Sequence, residues 1–368
     1  MSNTLGSLRV YRIYDLGYEI NLKEAYQKLS VVGPTNPFNL KKQTKNFLFS
    51  DPPLVINLGE ITVNDTKILL MGKLWNYGAA SLEFRIDTPA EIEKSGLVQW
   101  MKEWSLEPAL DELGKLRVVQ LIKLLGKGIV KPELWDQYED YSIFVANTEN
   151  QKLDFWTDEN FVFHFIGFES QMVLSEAMIE PVKASALSYS TNDLVVVDWD
   201  SGFVYAKEDV DDICDVLELA NVQLLELRYY DTLLDSKLSG LYRQVITKKP
   251  SIFNRRVEVL SKDASSLYIE TSEVVERIEN SLKIIGDVYF ARLYRIALKR
   301  LQVPQWQILV DQKLRNLFDI SQMYMGELHT KRSHYMEIVI IILIAIEVIP
   351  FLYPYVTKLL ISFNLLNL

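Results

Sequence analysis

Cysteine is almost absent from this sequence, whose 368 residues include a single one, Cys214. One cysteine cannot form an intramolecular disulfide, so a secreted fold held together by disulfides is excluded and a reducing compartment is expected. Cys214 lies within DDICDVLELA, where the neighbouring acids would raise the pKa of its thiol. We therefore interpret Cys214 as a small buried helix residue and not as a nucleophile.

Histidine is also scarce, and the common catalytic motifs are missing. The three histidines, His164, His329 and His334, form no H-E-x-x-H zinc motif. His329 and His334 are five residues apart and thus on different faces of a helix, which disfavours a shared metal ion. The sequence has neither a P-loop nor a G-x-S-x-G elbow. We predict no enzymatic activity, no catalytic residue, no cofactor, no metal site and no small-molecule substrate.

One acidic stretch, DWDSGFVYAKED, partly matches a calcium-binding loop. Asp198, Asp200 and Asp209 fall at loop positions one, three and twelve, but Phe203 stands where position six requires glycine. A β-hairpin turn followed by a helix cap is the better interpretation. A group of acids around it is interpreted as complementing a helix dipole rather than as a metal site: Asp209, Asp211, Asp212, Asp215 and Glu218.

Positive charge is in the minority, since the formal net charge is -10 at pH 7. This balance disfavours bulk attraction to nucleic acid or to an anionic membrane, although it leaves room for a local basic patch. The N-terminal stretch MSNTLGSLRVYRIYDLG has no apolar signal core and no Arg- and Ser-rich amphipathic pattern. We therefore expect neither a secretory signal nor a mitochondrial presequence.

The first half of the chain carries an α+β pattern. Period-two alternation predicts strands in LRVYRIYDL, PLVINLGEITV, TKILLMGKLW, GAASLEFRI and YEDYSIFVANT. A turn at Asn64-Asp65 is predicted between the second and the third of these strands. Helices are predicted in NLKEAYQKL with Asn21 as its cap, in TPAEIEKSGLVQWMKEW with Thr88 as its cap, and in EPALDELGKLRVVQLIKLL. This order suggests an α+β domain over residues 1–150 with a split βαβ-like, ferredoxin-like sheet. Residues 151–207 would add a second β-containing segment, with a hairpin turning at Asp200-Ser201-Gly202.

Residues 208–335 are predicted to form a long helical stalk, which begins with one helix from Asp209 to Ile246. A heptad seam follows at Val257, Leu260, Ala264, Leu267, Thr271, Val274, Ile278, Ser281 and Ile285. Similar spacing continues at Trp306, Val310, Leu314, Leu317, Tyr324 and Leu328. We expect a coiled-coil hairpin that turns at Val303-Pro304, with the seam buried and three acids exposed: Glu273, Glu276 and Glu279.

Residues 336–368 are predicted to be a membrane anchor. Every residue from Ile338 to Ile346 is apolar, and the run from Val348 to Val356 is interrupted only by two prolines. As a helix, such a run is long enough to cross a bilayer once. Because Lys331-Arg332 precedes it, the positive-inside rule places the N-terminal bulk in the cytoplasm; in a bacterial cell the membrane would be the inner membrane.

Two glutamates interrupt this apolar region. Glu337 would lie at the level of the lipid headgroups, where a polar side chain is tolerated. Glu347 would lie deeper, where a carboxylate costs on the order of 2.5–3.5 kcal/mol and normally faces a partner helix or water. We therefore predict that Glu337 and Glu347 are membrane and oligomer contacts, and that the protein is a homo-oligomer.

The segment ELHTKRSHYMEIVIIILIAIEVIPFL resembles the C-terminal signature of the required-for-meiotic-nuclear-division family: a basic run, a glutamate, an Ile-rich span and an Ile-Glu-Val step. Glu337 and Glu347 fall on the two family glutamates. LELANVQLLELRYYDTLLDSKL and RRVEVLSK resemble the helical part before that span, although the helices between Arg256 and Leu328 are longer than usual for the family. The resemblance implies a membrane-tethered oligomer without catalytic residues that supports translation in organelles; without a presequence, a bacterial-type relative is expected.

Two classes of function remain open. The first is a non-enzymatic, membrane-tethered scaffold that self-associates and supports translation or assembly at the membrane. The alternative is a CorA-like transport or channel protein, although its Gly-Met-Asn motif is missing. Arg292, Arg295 and Lys299 share one helical face, which is more often a solvated face. Because the resemblance points to translation, a contact there with RNA, phosphate or the ribosome is retained as a hypothesis.

Overall fold

Most strands of the protein lie in one mixed sheet. The computed structural model describes residues 4–30, 35–37, 52–158, 161–166, 175–247, 265–273, 276 and 287–366. The strands within these ranges are β1 (Gly6–Asp15), β2 (Gly17–Ile20), β3 (Thr35–Pro37), β4 (Leu54–Val63), β5 (Thr66–Leu74), β6 (Ala79–Asp87), β7 (Ile129–Pro132), β8 (Glu139–Ala146), β9 (Leu194–Val197) and β10 (Ser201–Tyr205).

The main sheet has the order β3-β4-β5-β6-β1-β8-β10-β9, and β2 pairs with β7 in a separate ribbon. Neighbouring strands are antiparallel except β8 and β10, which run parallel. A parallel pair needs a crossover connection, and the helices between residues 146 and 194 provide it. β1 lies between β6 and β8 and is antiparallel to both. The ferredoxin-like arrangement of residues 1–150 stays a prediction.

Turn chemistry accounts for the β4-β5 hairpin. Asn64 and Asp65 adopt left-handed φ angles of 48° and 60°. Two successive positive φ angles match the right-handed twist of the flanking strands, and Asn and Asp tolerate them best after glycine. The predicted turn between these two strands is confirmed.

The helices are α1 (Leu22–Leu29), α2 (Lys94–Ser105), α3 (Pro108–Leu125), α4 (Leu153–Thr157), α5 (Phe161–Ile166), α6 (Glu176–Lys183), α7 (Val210–Thr247), α8 (Val288–Arg300) and α9 (Val303–Leu366). Residues 265–273 are also helical. Asn21 caps α1 by accepting a hydrogen bond from the Glu24 amide, as predicted. The α+β class, the helical C-terminal region and the long helix beginning near Asp209 are confirmed.

Alternation along the strands gives the sheet two different faces. One face carries apolar side chains such as Val10, Leu82 and Phe144, which pack with α2 and α3 residues in the hydrophobic core. The other face carries Arg9 and Glu83, the strand neighbours of Val10 and Leu82, and both are buried. Successive side chains of a strand point to opposite faces, so charged residues line the second face.

The chain divides into two compact units. The first comprises residues 1–232 and 271–311, and the second comprises residues 233–270 and 312–368. Within the second unit, Lys313 Nζ lies 2.7 Å from Asp235 Oδ1, and the rings of Tyr268 and Phe318 are 5.2 Å apart. The segment 151–207, predicted as separate from 1–150, belongs to the same unit because β10 pairs with β8.

Two predicted local features are displaced. α2 begins at Lys94 and not after Thr88, whose Oγ1 instead accepts hydrogen bonds from the amides of Leu5 and Gly6. The β9-β10 hairpin closes through a bond from the Asp198 amide to the Ser201 carbonyl, two residues earlier than predicted.

A turn separates α8 from α9 next to the predicted Val303-Pro304 position, whereas the coiled-coil hairpin itself stays a prediction. Gln302 adopts a φ of 57° between α8 and α9, so the turn precedes Pro304 directly. Asp287 caps a new helix by accepting from the amides of Tyr289 and Phe290, so no single helix runs up to Arg300. Leu267 and Thr271 are buried, as the seam predicts. The other first-arm seam positions and Glu279 lie outside the described residues, while Glu273 and Glu276 are exposed.

Candidate functional site

The apolar segment of α9, His329–Tyr353, is 25 residues long, and none of it is buried. Ile346 and Phe351 are 64% and 80% exposed. By length and composition this helix can cross a membrane. Removing apolar surface from water contributes roughly 25 cal/mol per Å², so a helix of this kind is more stable when lipid or another helix covers it.

The two glutamates of this segment are exposed on the helix surface. Glu337 lies one turn after His334, with its Oε2 atom 3.3 Å from the ring Nδ1. Glu347 lies ten residues further along, and a rise of about 1.5 Å per residue places it about 15 Å deeper in the segment. The predicted oligomer contact at these residues stays a prediction.

A second polar group accompanies Glu347. Pro350 lies inside α9 and has no backbone N–H, so the helix cannot supply the usual donor to the carbonyl of Ile346. That carbonyl belongs to the residue next to Glu347. The segment therefore holds a hydrogen-bond acceptor and a carboxyl group at the same depth.

The basic residues predicted as an RNA or phosphate contact lie on one face of α8. Arg292, Arg295 and Lys299 are exposed, whereas Leu293 and Tyr294 on the opposite side are buried. An exposed face of this kind is compatible with a surface that only faces solvent and with a surface that binds RNA or phosphate. The RNA contact stays a prediction.

The aspartates weighed as a calcium loop have structural partners. Asp198 is buried, and its Oδ1 atom accepts from Nε of Arg300 at 2.8 Å. The Asp200 carboxylate accepts from the Ser201 hydroxyl at 2.8 Å. No group of three metal-ligating side chains was found among the residues that the structure describes. The hairpin interpretation fits this geometry.

The first acids of α7 do more than complement the helix dipole. Lys73, on β5, is buried and donates to Asp215 at 2.5 Å and to Glu218. The hydroxyl of Ser81, on β6, also donates to Glu218. One buried lysine thus holds α7 against the sheet through two carboxylates.

A second set of charges continues this network across the strands. Arg9 donates to Asp211 at 2.8 Å, and its NH1 atom lies 3.4 Å from Glu83. Arg85 donates to the same Glu83 at 2.7 Å. Across both sets, three cations face four carboxylates. We call the seven charged residues the sheet–α7 network: Arg9, Lys73, Glu83, Arg85, Asp211, Asp215 and Glu218.

The pKa values within the network follow from burial and charge. Burial opposes ionisation of Glu83, but Arg9 and Arg85 outweigh it and lower the pKa of Glu83. Burial alone would lower the pKa of Lys73, but Asp215 and Glu218 raise it above its ordinary value. Burial raises the pKa of Asp215 to about 7 despite Lys73. Lys73 therefore stays charged at neutral pH.

A cavity of about 370 Å³ lies beside the start of α7, between the loop around Tyr189 and the start of α8. Two of the carboxylates that line it accept hydrogen bonds from the backbone: Asp193 accepts from the amides of Tyr189 and Ser190, and Asp287 caps α8. Glu208, Asp209 and Asp212 also line the cavity.

Cys214 is fully buried in α7, as predicted, and burial raises the pKa of its thiol to about 12. A thiol with so high a pKa is not a nucleophile at neutral pH. His329 and His334 are exposed residues of α9, and the side chain of His164 lies outside the described residues.

Two comparisons with known sequences give matches. A family model described as "Uncharacterized protein MJ0711, N-terminal domain" matches residues 5–212. These residues contain the main sheet, and we call them the sheet domain. The chain is 26% identical over 273 residues to "Uncharacterized protein MJ0711" of Methanocaldococcus jannaschii, covering 69% of this chain and 84% of that protein. No solved structure matches the chain.

Proposed function

This chain belongs to the MJ0711 N-terminal domain family, and we propose that the helices after that domain tether it to a membrane and hold copies of it together. The domain match ends at residue 212, close to the start of α7. In this proposal the protein is a non-enzymatic scaffold, and the sheet domain is the part that it presents to partners.

The exposed apolar helix His329–Tyr353 carries this proposal. A core helix of a soluble protein can be equally apolar, but its side chains are covered by the rest of the fold. Here 25 residues of α9 are unburied, which fits lipid as their surrounding. Tyr335 and Tyr353, near the two ends, are also exposed, and tyrosine is enriched at both membrane interfaces.

The charge pattern supports one orientation. Lys331 and Arg332 lie just before the Ile-rich part of the helix. Positive residues flanking a span stay on the cytoplasmic side, so the N-terminal bulk is proposed to be cytoplasmic and the chain to cross the membrane once.

Self-association is proposed to use Glu347 and the Ile346 carbonyl. A neutral Glu347 carboxyl group can donate to the carbonyl that Pro350 leaves without its usual donor, in a second copy of the chain. Such a bond would satisfy two polar groups that lipid cannot. The same contact explains why a carboxyl group is tolerated at this depth.

Substitution of Glu347 tests this contact. Glu347→Gln should preserve the oligomer, because an amide also donates a hydrogen bond, whereas Glu347→Leu should weaken it by about 0.6–2 kcal/mol. Glu337→Leu should weaken the oligomer less than Glu347→Leu, because water at the headgroup level can also satisfy the Glu337 carboxylate. Each variant is crosslinked in membranes, and the products are sized.

The crosslinking experiment also separates the scaffold from a channel. Undiminished crosslinking of Glu347→Leu, together with loss of an ion flux that the unaltered protein carries, would reject the scaffold and favour the CorA-like alternative. Loss of crosslinking with no flux from either protein is the outcome that the scaffold predicts.

A further inference from the structure

A concentrated basic segment lies in an otherwise acidic protein. Residues 113–132, from the middle of α3 to the end of β7, contain five cations and no carboxylate: Lys115, Arg117, Lys123, Lys127 and Lys131. The whole chain has a formal net charge of -10. A local patch of this kind can attract an anionic partner even when the net charge repels one.

The inner face of α3 is fixed against the sheet. Val118, Leu121 and Leu125 are buried in the hydrophobic core. At Gly114 an added Cβ atom would lie 2.4 Å from the hydroxyl of Tyr14, so the helix approaches the sheet as closely as a glycine permits. The opposite face is therefore held outward by a rigid support.

The outer face of α3 mixes apolar and basic side chains. Leu116 is 53% exposed, and Val119 and Leu124 are each 37% exposed. Lys123 follows Leu116 by seven residues and Val119 by four, so the three share one side of the helix. Lys127 and Val130, just after α3, are also exposed. We call this set the α3 outer face: Leu116, Val119, Lys123, Leu124, Lys127 and Val130.

Lys123 and Lys127, the two cations of this face, can bind an external anion. Among the residues that the structure describes, no carboxylate forms an ion pair with Lys123 or Lys127. Of the nearby acids, Glu24 pairs with Lys28 at 2.6 Å and Asp111 pairs with Arg12 at 2.6 Å. Glu19 lies opposite Val130 at the β7 end of the face, and Glu112 is exposed just after the first turn of α3.

We propose that the α3 outer face rests on an anionic lipid surface, so that the sheet domain contacts the membrane independently of the anchor. Lysines beside exposed aliphatic side chains suit a bilayer interface, where the cations meet lipid phosphates and the apolar groups enter the headgroup region. A nucleic-acid surface would instead favour arginine and hydrogen-bonding side chains. This inference rests on the proposed function in one respect, since the anchor brings the domain to the membrane.

The test places a fluorescent probe on the face of the full-length protein. Val119→Cys is labelled with an environment-sensitive dye, and the buried Cys214 does not compete. The protein is reconstituted into neutral phosphatidylcholine vesicles or into vesicles that also contain phosphatidylserine, each with a lipid-borne quencher. Quenching should occur in the anionic vesicles and be largely absent in the neutral ones.

Charge variants decide the origin of the quenching. Each lysine near an anionic surface contributes about fivefold to binding, so Lys123→Gln/Lys127→Gln should reduce the ratio of docked to undocked probe roughly 25-fold. The control is Lys67→Gln/Lys152→Gln, which removes two exposed lysines outside the face and should change nothing.

Three results would overturn the inference, and they are distinguishable from failure of the anchor. Protein that floats with both kinds of vesicle, but whose probe stays unquenched, retains the anchor and rejects the lipid contact. Equal quenching in neutral vesicles rejects the role of charge. Probe changes on addition of single-stranded RNA, abolished by Lys123→Gln/Lys127→Gln without any lipid effect, would assign the face to nucleic acid. If the protein floats with neither kind of vesicle, the proposed membrane anchor itself is wrong.

Discussion

Replacing Lys73 by methionine should lower the free energy of unfolding by about 3–5 kcal/mol, a large part of the stability of a typical domain. The Lys73 side chain is only 8% exposed and donates to Asp215 and Glu218. Methionine has a similar volume but no charge, so the change leaves the buried Glu218 and the partly buried Asp215 without their cation. Thermal or urea unfolding of the sheet domain within the full-length protein measures the loss.

A matched control lies on the same strand. Lys67 is also on β5, six residues earlier, but it is exposed, so Lys67→Met should change stability by less than about 0.5 kcal/mol. Adding Glu218→Gln to Lys73→Met removes one of the unpaired charges and should restore part of the loss. Equal melting of the Lys73 and Lys67 variants would mean that the sheet–α7 network does not hold the helix on the sheet.

Ending the chain after Tyr335 should move the protein from the membrane pellet to the soluble fraction in alkaline carbonate extraction. The deletion removes most of the apolar segment His329–Tyr353, on which the proposed anchor depends. Because none of that segment is buried, the melting temperature of the sheet domain should stay the same. Loss of membrane association without loss of folding is therefore the expected pair of results.

A second truncation provides the control. Ending the chain after Tyr353 removes the C-terminal tail but keeps all 25 residues of the segment, so this variant should stay in the pellet. If the chain ending at Tyr335 also remained in the pellet, membrane attachment would reside elsewhere in the protein.

The sequence predicts those strands and helices that are determined by residues close together in the chain. β1, β4, β5 and β6 follow from alternating apolar residues, and α1 follows from its Asn21 cap. The start of α2 was misplaced because Thr88 is recruited by the backbone of Leu5 and Gly6, residues more than eighty positions away. Helix propensities describe local sequence only, so they cannot predict a hydrogen bond between residues so far apart in the chain.

The sheet–α7 network was missed for the same reason. Lys73 and Asp215 are 142 residues apart, and no periodicity links them. A signal was nevertheless present. Arg9 and Glu83 each lie between apolar neighbours in strands whose other face forms the core, and α7 begins with several acids. Charges of both signs on one sheet face, followed by an acidic helix with a long apolar continuation, are the pattern to look for.

The C-terminal resemblance and the family domain concern different parts of the chain. The family model ends at residue 212, whereas the resemblance to the required-for-meiotic-nuclear-division family lies mainly in the C-terminal half. That resemblance stays a prediction, as does a role in translation. The anchor itself depends on the length, composition and exposure of α9.

Cysteine accessibility tests the membrane location of α9 most directly. Ile342→Cys lies inside the apolar segment, and Asp319→Cys lies on the same helix before it; the native Cys214 is fully buried and unreactive. In intact vesicles with the cytoplasmic side outward, a membrane-impermeant maleimide should label Asp319→Cys at once and should label Ile342→Cys only after detergent is added. Labelling of both cysteines at the same rate in intact vesicles would contradict the membrane anchor.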